Sequence, residues 1–126
     1  MEANERSVLV VDDDIVILKM MKLFLKESCK VYAVKGGENA MDFLGKKTPG
    51  IIFLDYEMPG MKGPEVLQRI REKEETARIP VYFMTGNTGA EEVAECMKLE
   101  PAGYIAKPIN RDLVMEALRE VFGDGE

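Results

Sequence analysis

The chain has 126 residues, 46% apolar and 32% charged, a composition that fits one globular domain spanning residues 1–126 and excludes a disordered or collagen-like chain. Its 17 basic and 23 acidic residues leave a net charge of −6, which argues against direct nucleic-acid binding through the chain's own field. There is no His, which excludes imidazole general bases and His metal ligands and leaves activation chemistry to carboxylates, hydroxyls and Lys.

Cys29 and Cys96 lie far apart, in no metal-ligand spacing, and read as reduced thiols. The polar stretch Met1–Ser7 is too short for a secretory leader, and no apolar run approaches the ~20 residues of a membrane span. The expectation is a cytoplasmic protein with no membrane insertion.

In chain order, Ser7–Val11 reads as a first strand ending in Asp12-Asp13-Asp14. Ile17, Met20, Met21 and Phe24 then recur at helical spacing. Lys30–Val34 is a short second strand near an edge. Gly36-Gly37 opens a helix carrying Ala40, Met41 and Leu44, which Gly45 closes. Ile51–Leu54 is an uninterrupted apolar run, suited to a buried strand of a parallel sheet, with Asp55 at its end and Met58-Pro59-Gly60 breaking the chain. Pro64 suits the first position of a third helix, whose inner face is Val66, Leu67 and Ile70. Val81–Met84 is the fourth strand, ending in Thr85-Gly86-Asn87. Thr88-Gly89-Ala90-Glu91 has the form of a capping box for a fourth helix with Ala90, Val93, Ala94 and Met97 as its stripe. Tyr104–Ala106 is the fifth strand, followed by Lys107-Pro108. Asn110 caps a last helix with Leu113, Val114, Ala117, Leu118 and Val121 inward.

Strict β-α alternation through five units implies an α/β fold, a doubly wound parallel sheet with helices on both faces. Ligands of such sheets collect outside the carboxyl ends of the strands. Those ends carry Asp12 and Asp13, Asp55, Thr85 and Lys107. In strand order 2-1-3-4-5 the first and third strands are neighbours, so three carboxylates converge on one crevice. Their repulsion is relieved by a hard divalent cation, and an all-oxygen donor set suits Mg²⁺. Carboxylate, cation, hydroxyl and ammonium together are the equipment of phosphoryl transfer, with Asp55 the best-placed nucleophile. Each residue alone has a plainer reading: Asp55 a turn former, Thr85 a strand-end hydroxyl, Lys107 a surface charge.

The pieces VLVVDDD, IIFLDYEMPGMKG, VYFMTGN and GYIAKPI, in this order and each at a strand end, resemble the receiver domain of two-component response regulators, in its single-domain, chemotaxis-regulator-like form, from Val8 to Phe122. The resemblance implies a flavodoxin-like five-stranded sheet of order 2-1-3-4-5 with five helices. It implies that Asp55 takes a phosphoryl group from a histidine kinase or His-phosphotransfer protein. Mg²⁺, or Mn²⁺ in its place, is held by Asp13, Asp55 and the Glu57 backbone carbonyl, with Asp12 acting through a bound water. Glu57 and Asn87 tune hydrolysis, and a Glu at position 57 is unusual for the family. Pro108 follows a cis bond. Thr85 and Tyr104 form the switch, and a downstream protein, or a second phosphorylated copy, binds the face made by the fourth helix, fifth strand and fifth helix. Such a domain is no enzyme beyond its own phosphorylation and dephosphorylation. The residues also leave open a docking adaptor that is never phosphorylated, and a receiver portion of a longer output protein. A flavodoxin-type FMN site is disfavoured by Asp12-Asp13-Asp14, which would repel a phosphate. An aspartyl phosphatase is disfavoured by the lack of room for a substrate-covering domain.

Overall fold

Period-two alternation along the strands decides which side of the sheet each side chain enters, and it builds two separate apolar cores. The computed structural model describes residues 6–86, 94 and 97–123. Five parallel strands, β1 (Ser7–Val11), β2 (Lys30–Val34), β3 (Ile51–Asp55), β4 (Val81–Thr85) and β5 (Gly103–Ala106), form one sheet in the order β2-β1-β3-β4-β5. This is the flavodoxin-like doubly wound arrangement.

Val8, Val10, Ile51, Phe53, Tyr82, Met84 and Ile105 point to one face, where α1 (Ile15–Leu25) and the C-terminal helix α4 (Arg111–Phe122) cover them. Leu9, Val11, Ile52, Leu54, Val81 and Phe83 point to the other, against α2 (Gly37–Leu44) and α3 (Gly63–Glu72). The residues of β3 are all buried, as expected of a strand covered on both faces. Each fully buried Leu, Ile or Phe contributes about 1.5–3 kcal/mol through the apolar area it removes from water.

The helices differ from the sequence expectation in detail. Four helices are defined among the described residues, not five. The expected fourth of the five, over Thr88–Met97, falls mostly outside those residues, although Ala94 and Met97 are both helical. Its capping box lies wholly outside them. In α1 the buried residues are Ile17, Leu18, Met21 and Leu25, while Met20 and Phe24 are only partly buried. In α4 the buried residues are Val114, Ala117 and Leu118, whereas Leu113 is 43% exposed. An apolar stripe wider than the face it covers leaves its flanking members at the rim. Pro64 occupies the second position of α3, because Gly63 already takes the helical conformation. No helix among the described residues is long and apolar enough to cross a membrane.

One long-range contact ties the lower loops together. Arg71, at the end of α3, donates to four backbone carbonyls: Ile79 at 2.8 Å, Glu100 at 3.0 Å, Leu99 at 3.1 Å and Ala77 at 3.2 Å. Burial pushes its pKa down while the charge of Glu100 pushes it up, and the net direction is down. A planar guanidinium can satisfy two loops at once; an ammonium cannot reach four acceptors in this geometry. Arg71→Lys should therefore lower unfolding stability by on the order of 1–3 kcal/mol, through carbonyls left without donors. Urea unfolding measures it, and a midpoint equal to wild type would contradict the tethering role.

Candidate functional site

Three consecutive aspartates follow β1, and the backbone gives each a different environment. The Asp12 N–H donates to the Val34 carbonyl at 3.2 Å, continuing the β1–β2 pairing one residue further. That extension holds the Asp12 side chain inward and fully buried, with Oδ1 accepting from the Asp14 N–H at 2.9 Å. Asp14 caps α1, its side chain accepting from the Val16 N–H at 2.9 Å. Asp13, between them, is exposed.

Asp55 is the last residue of β3, in register with Met84, and is 3% exposed. Its Oδ1 accepts from Lys107 Nζ at 3.0 Å and from the Glu57 N–H at 3.4 Å. The turn beyond it closes tightly, with the Gly63 N–H donating to the Tyr56 carbonyl at 3.0 Å. A Cβ at position 63 would collide with the Asp55 carbonyl oxygen and the Tyr56 backbone, so glycine there permits the close approach of α3 to the site.

Lys107 follows β5, and its N–H donates to the Thr85 carbonyl at 2.9 Å. The Lys107–Pro108 bond is cis. The ammonium also lies 3.2 Å from Asp12 Oδ2, an ion-pair distance. Its direction there is not that of a hydrogen bond, so Asp12 Oδ2 is a buried side-chain oxygen with charge nearby but no hydrogen-bond donor among the described residues. Thr85, 4% exposed, ends β4 opposite Ala106. Glu57 is exposed. Tyr104, in register with Phe83, stacks on that ring with centroids 6.0 Å apart and planes at 18°. Asn87 lies outside the described residues.

Burial is the largest influence on Asp55, raising its pKa to about 6; the Lys107 hydrogen bond opposes it and the Asp12 charge adds to it. Burial alone would lower the pKa of Lys107, but its hydrogen bond to Asp55 and the charges of Asp55 and Asp12 outweigh that and hold it above the ordinary value. Among the described residues one ammonium thus stands against three carboxylates. Asp12, Asp13 and Asp55 each offer an oxygen, all within 4.8 Å of one another. Hard oxygen donors, surplus negative charge and an unbonded Asp12 oxygen together fit a divalent cation.

The sequence model described as "Response regulator receiver domain" matches residues 8–119. The chain belongs to that family. The receiver is 30% identical over 118 residues to sporulation initiation phosphotransferase F of Bacillus subtilis, covering 93% of each chain. It is 32% identical over 117 residues to the two-component response regulator ARR7 of Arabidopsis thaliana, covering 83% of this chain and only 57% of the relative. Among solved structures it resembles the chemotaxis protein CheY4 of Vibrio cholerae, with a TM-score of 0.88 and 27% identity over 93% of this chain and 98% of that one.

The receiver fold therefore gathers the side chains of Asp12, Asp13, Asp55 and Lys107 at one end of the sheet, with Thr85 at the end of the strand between β3 and β5. Two contributors were not assigned a part from the sequence. Asp14 was read within an acidic run, although Asp before a helical pattern is itself a capping signal. Gly63 enters the sequence reading only as the last residue of IIFLDYEMPGMKG; its closeness to Asp55 depends on the turn between them.

The raised pKa of Asp55 has a consequence for stability. The folded state binds that proton more tightly than the unfolded chain, so the carboxyl's contribution is fully favourable below its unfolded value near 4 and is lost as pH rises through about 6. In chelator-treated buffer at about pH 7, Asp55→Asn should be more stable than wild type by on the order of 1–3 kcal/mol. The difference should shrink as pH falls from about 6 to about 4. Thermal melts across that range test it, and a destabilised Asn variant at neutral pH would contradict it.

Proposed function

We propose that this receiver takes a phosphoryl group onto Asp55 from a phosphohistidine of a histidine kinase or His-phosphotransfer protein, and that the modified domain changes what it binds. The observation that carries the reading is Asp55 at the end of the central strand β3, hydrogen-bonded to Lys107 and clustered with Asp12 and Asp13.

An oxygen of the Asp55 carboxylate forms a bond to phosphorus as the P–N bond of the donor breaks. The electron pair of that bond passes to the departing imidazole nitrogen, which takes a proton from solvent. Above about pH 7 most of Asp55 is ionised and able to attack, given its pKa of about 6. Lys107 holds Asp55 Oδ1 before the reaction and neutralises phosphoryl oxygen charge after it. Asp12, Asp13 and Asp55, with the Glu57 carbonyl, would hold Mg²⁺, and Mn²⁺ can replace it. The bound cation supplies positive charge for the phosphoryl oxygens. Thr85 donates from its hydroxyl to the phosphoryl group. Glu57 and Asn87 tune the rate at which water later attacks phosphorus and returns Asp55 as a carboxylate.

The phosphoryl group adds about −1.5 to −2 charges and strong acceptors. Movement of Thr85 toward it would open space that Tyr104 fills from the next strand. The surface of β5 and α4, with the fourth helix expected from the sequence, would then bind a downstream protein or a second copy. Such a balance between two arrangements responds to phosphate only as far as phosphate favours one of them. On this reading the domain is cytoplasmic and turns over no separate substrate.

With a small acyl-phosphate donor and Mg²⁺, intact-mass measurement should show one phosphoryl adduct. The adduct should be absent with chelator and absent in Asp55→Asn. Thr85→Ala should acquire it more slowly. A metal-independent adduct, or one that persists in Asp55→Asn, would contradict the reading.

A further inference from the structure

Helix α1 and the turn after it carry charge of nearly one sign. From Ile15 to Lys30 the sequence holds Lys19, Lys22, Lys26 and Lys30 against Glu27 alone, within a chain of net charge −6. Lys19, Lys22 and Lys26 are exposed, and among the described residues none of them is in an ion pair. Lys22 and Lys26 lie at the C-terminal end of α1, where a cation complements the helix dipole. Lys19 lies more than a turn before the helix end at Leu25, beyond the reach of that effect.

Between them stands Leu23, at 65% the most exposed of the large apolar residues described. With Cys29 and Val31 it lines a shallow, open groove of about 600 Å³ between α1 and the edge strand β2, and the three lysines flank it. Cys29 precedes β2 and Val31 is near its start, so the groove opens toward the end of the sheet opposite the aspartate cluster.

We propose that this groove docks an acidic amphipathic helix of another protein. The lysines recur at spacings of three and four, the repeat at which one helix face meets another. A partner helix laid along α1 would set apolar side chains on Leu23 and Val31 and carboxylates against the flanking lysines, the helix-in-groove mode of recognition. Because the groove faces away from Asp55, the docked helix leaves the phosphoryl site open, and the two surfaces can be used together.

The test is a titration of nitrogen-15-labelled protein with a designed peptide of about 20 residues, long enough to be helical, with a Leu stripe flanked by Glu. Backbone amide shifts should saturate and centre on Lys19–Val31. Raising NaCl from about 50 to about 300 mM should weaken binding several-fold through screening. The triple variant Lys19→Glu, Lys22→Glu, Lys26→Glu should abolish binding while its amide shifts away from α1 stay those of the folded wild type, and Leu23→Ser should weaken it with the charges intact. The proposal is overturned if no shifts appear at millimolar peptide, or if a peptide with Lys in place of Glu binds equally. It is overturned too if the shifts arise only with phosphatidylglycerol vesicles, or with protein concentration alone.

Discussion

The site depends on one ammonium placed between two buried carboxylates. Lys107 Nζ lies 3.0 Å from Asp55 Oδ1 and 3.2 Å from Asp12 Oδ2, and the two aspartates are 3% and 0% exposed. Without Lys107 two buried charges would face each other with nothing between them, a far larger penalty than any surface ion pair returns. The sheet order makes the contact. β1 and β3 are hydrogen-bonded neighbours, which brings Asp12 beside Asp55, and β4 separates β3 from β5, so the long Lys107 side chain spans the width of one strand. The Lys107 N–H bond to the Thr85 carbonyl fixes the start of that reach.

The same interaction leaves the cluster short of positive charge. Asp55 is held above the ordinary carboxylate range chiefly by burial, which one hydrogen bond from Lys107 does not offset. Asp12 directs one oxygen to the Asp14 N–H and leaves the other without a hydrogen-bond donor among the described residues. A cluster in this condition gains from whatever brings positive charge to it. Part of the fold's stability is thus given up where the chemistry is placed, and the two apolar cores on either side of the sheet sustain it.

How much of this could be read from the sequence varies with the range of the interaction. The strands were legible to within a residue, because three- and four-residue apolar runs followed by Asp, Thr or Lys have few alternatives in an alternating β-α chain. That Asp12, Asp55 and Lys107 share one end of a sheet followed from their being strand-end residues. That Lys107 bridges the two carboxylates did not, since it depends on a strand order that periodicity leaves open. Helix faces were read less well. Leu18 and Leu25 are buried where Met20 and Phe24 were expected to be, and Leu113 faces solvent, because an apolar stripe broader than its seat does not reveal its centre. The Arg71 tether was not legible at all: its acceptors are backbone carbonyls up to 29 residues away, which no side-chain pattern marks.

The measurement that bears most directly on the account is a crystal structure of the protein with Mg²⁺ and beryllium fluoride, a stable mimic of a phosphoryl group on a carboxylate. The account predicts a tetrahedral fluoroberyllate on Asp55, Lys107 Nζ turned from the Asp55 carboxylate to a fluorine, and one cation held by Asp13, Asp55 and the Glu57 carbonyl with Asp12 close by. Fluoroberyllate on another residue, or a cation held away from the Asp12–Asp13–Asp55 cluster, would contradict it.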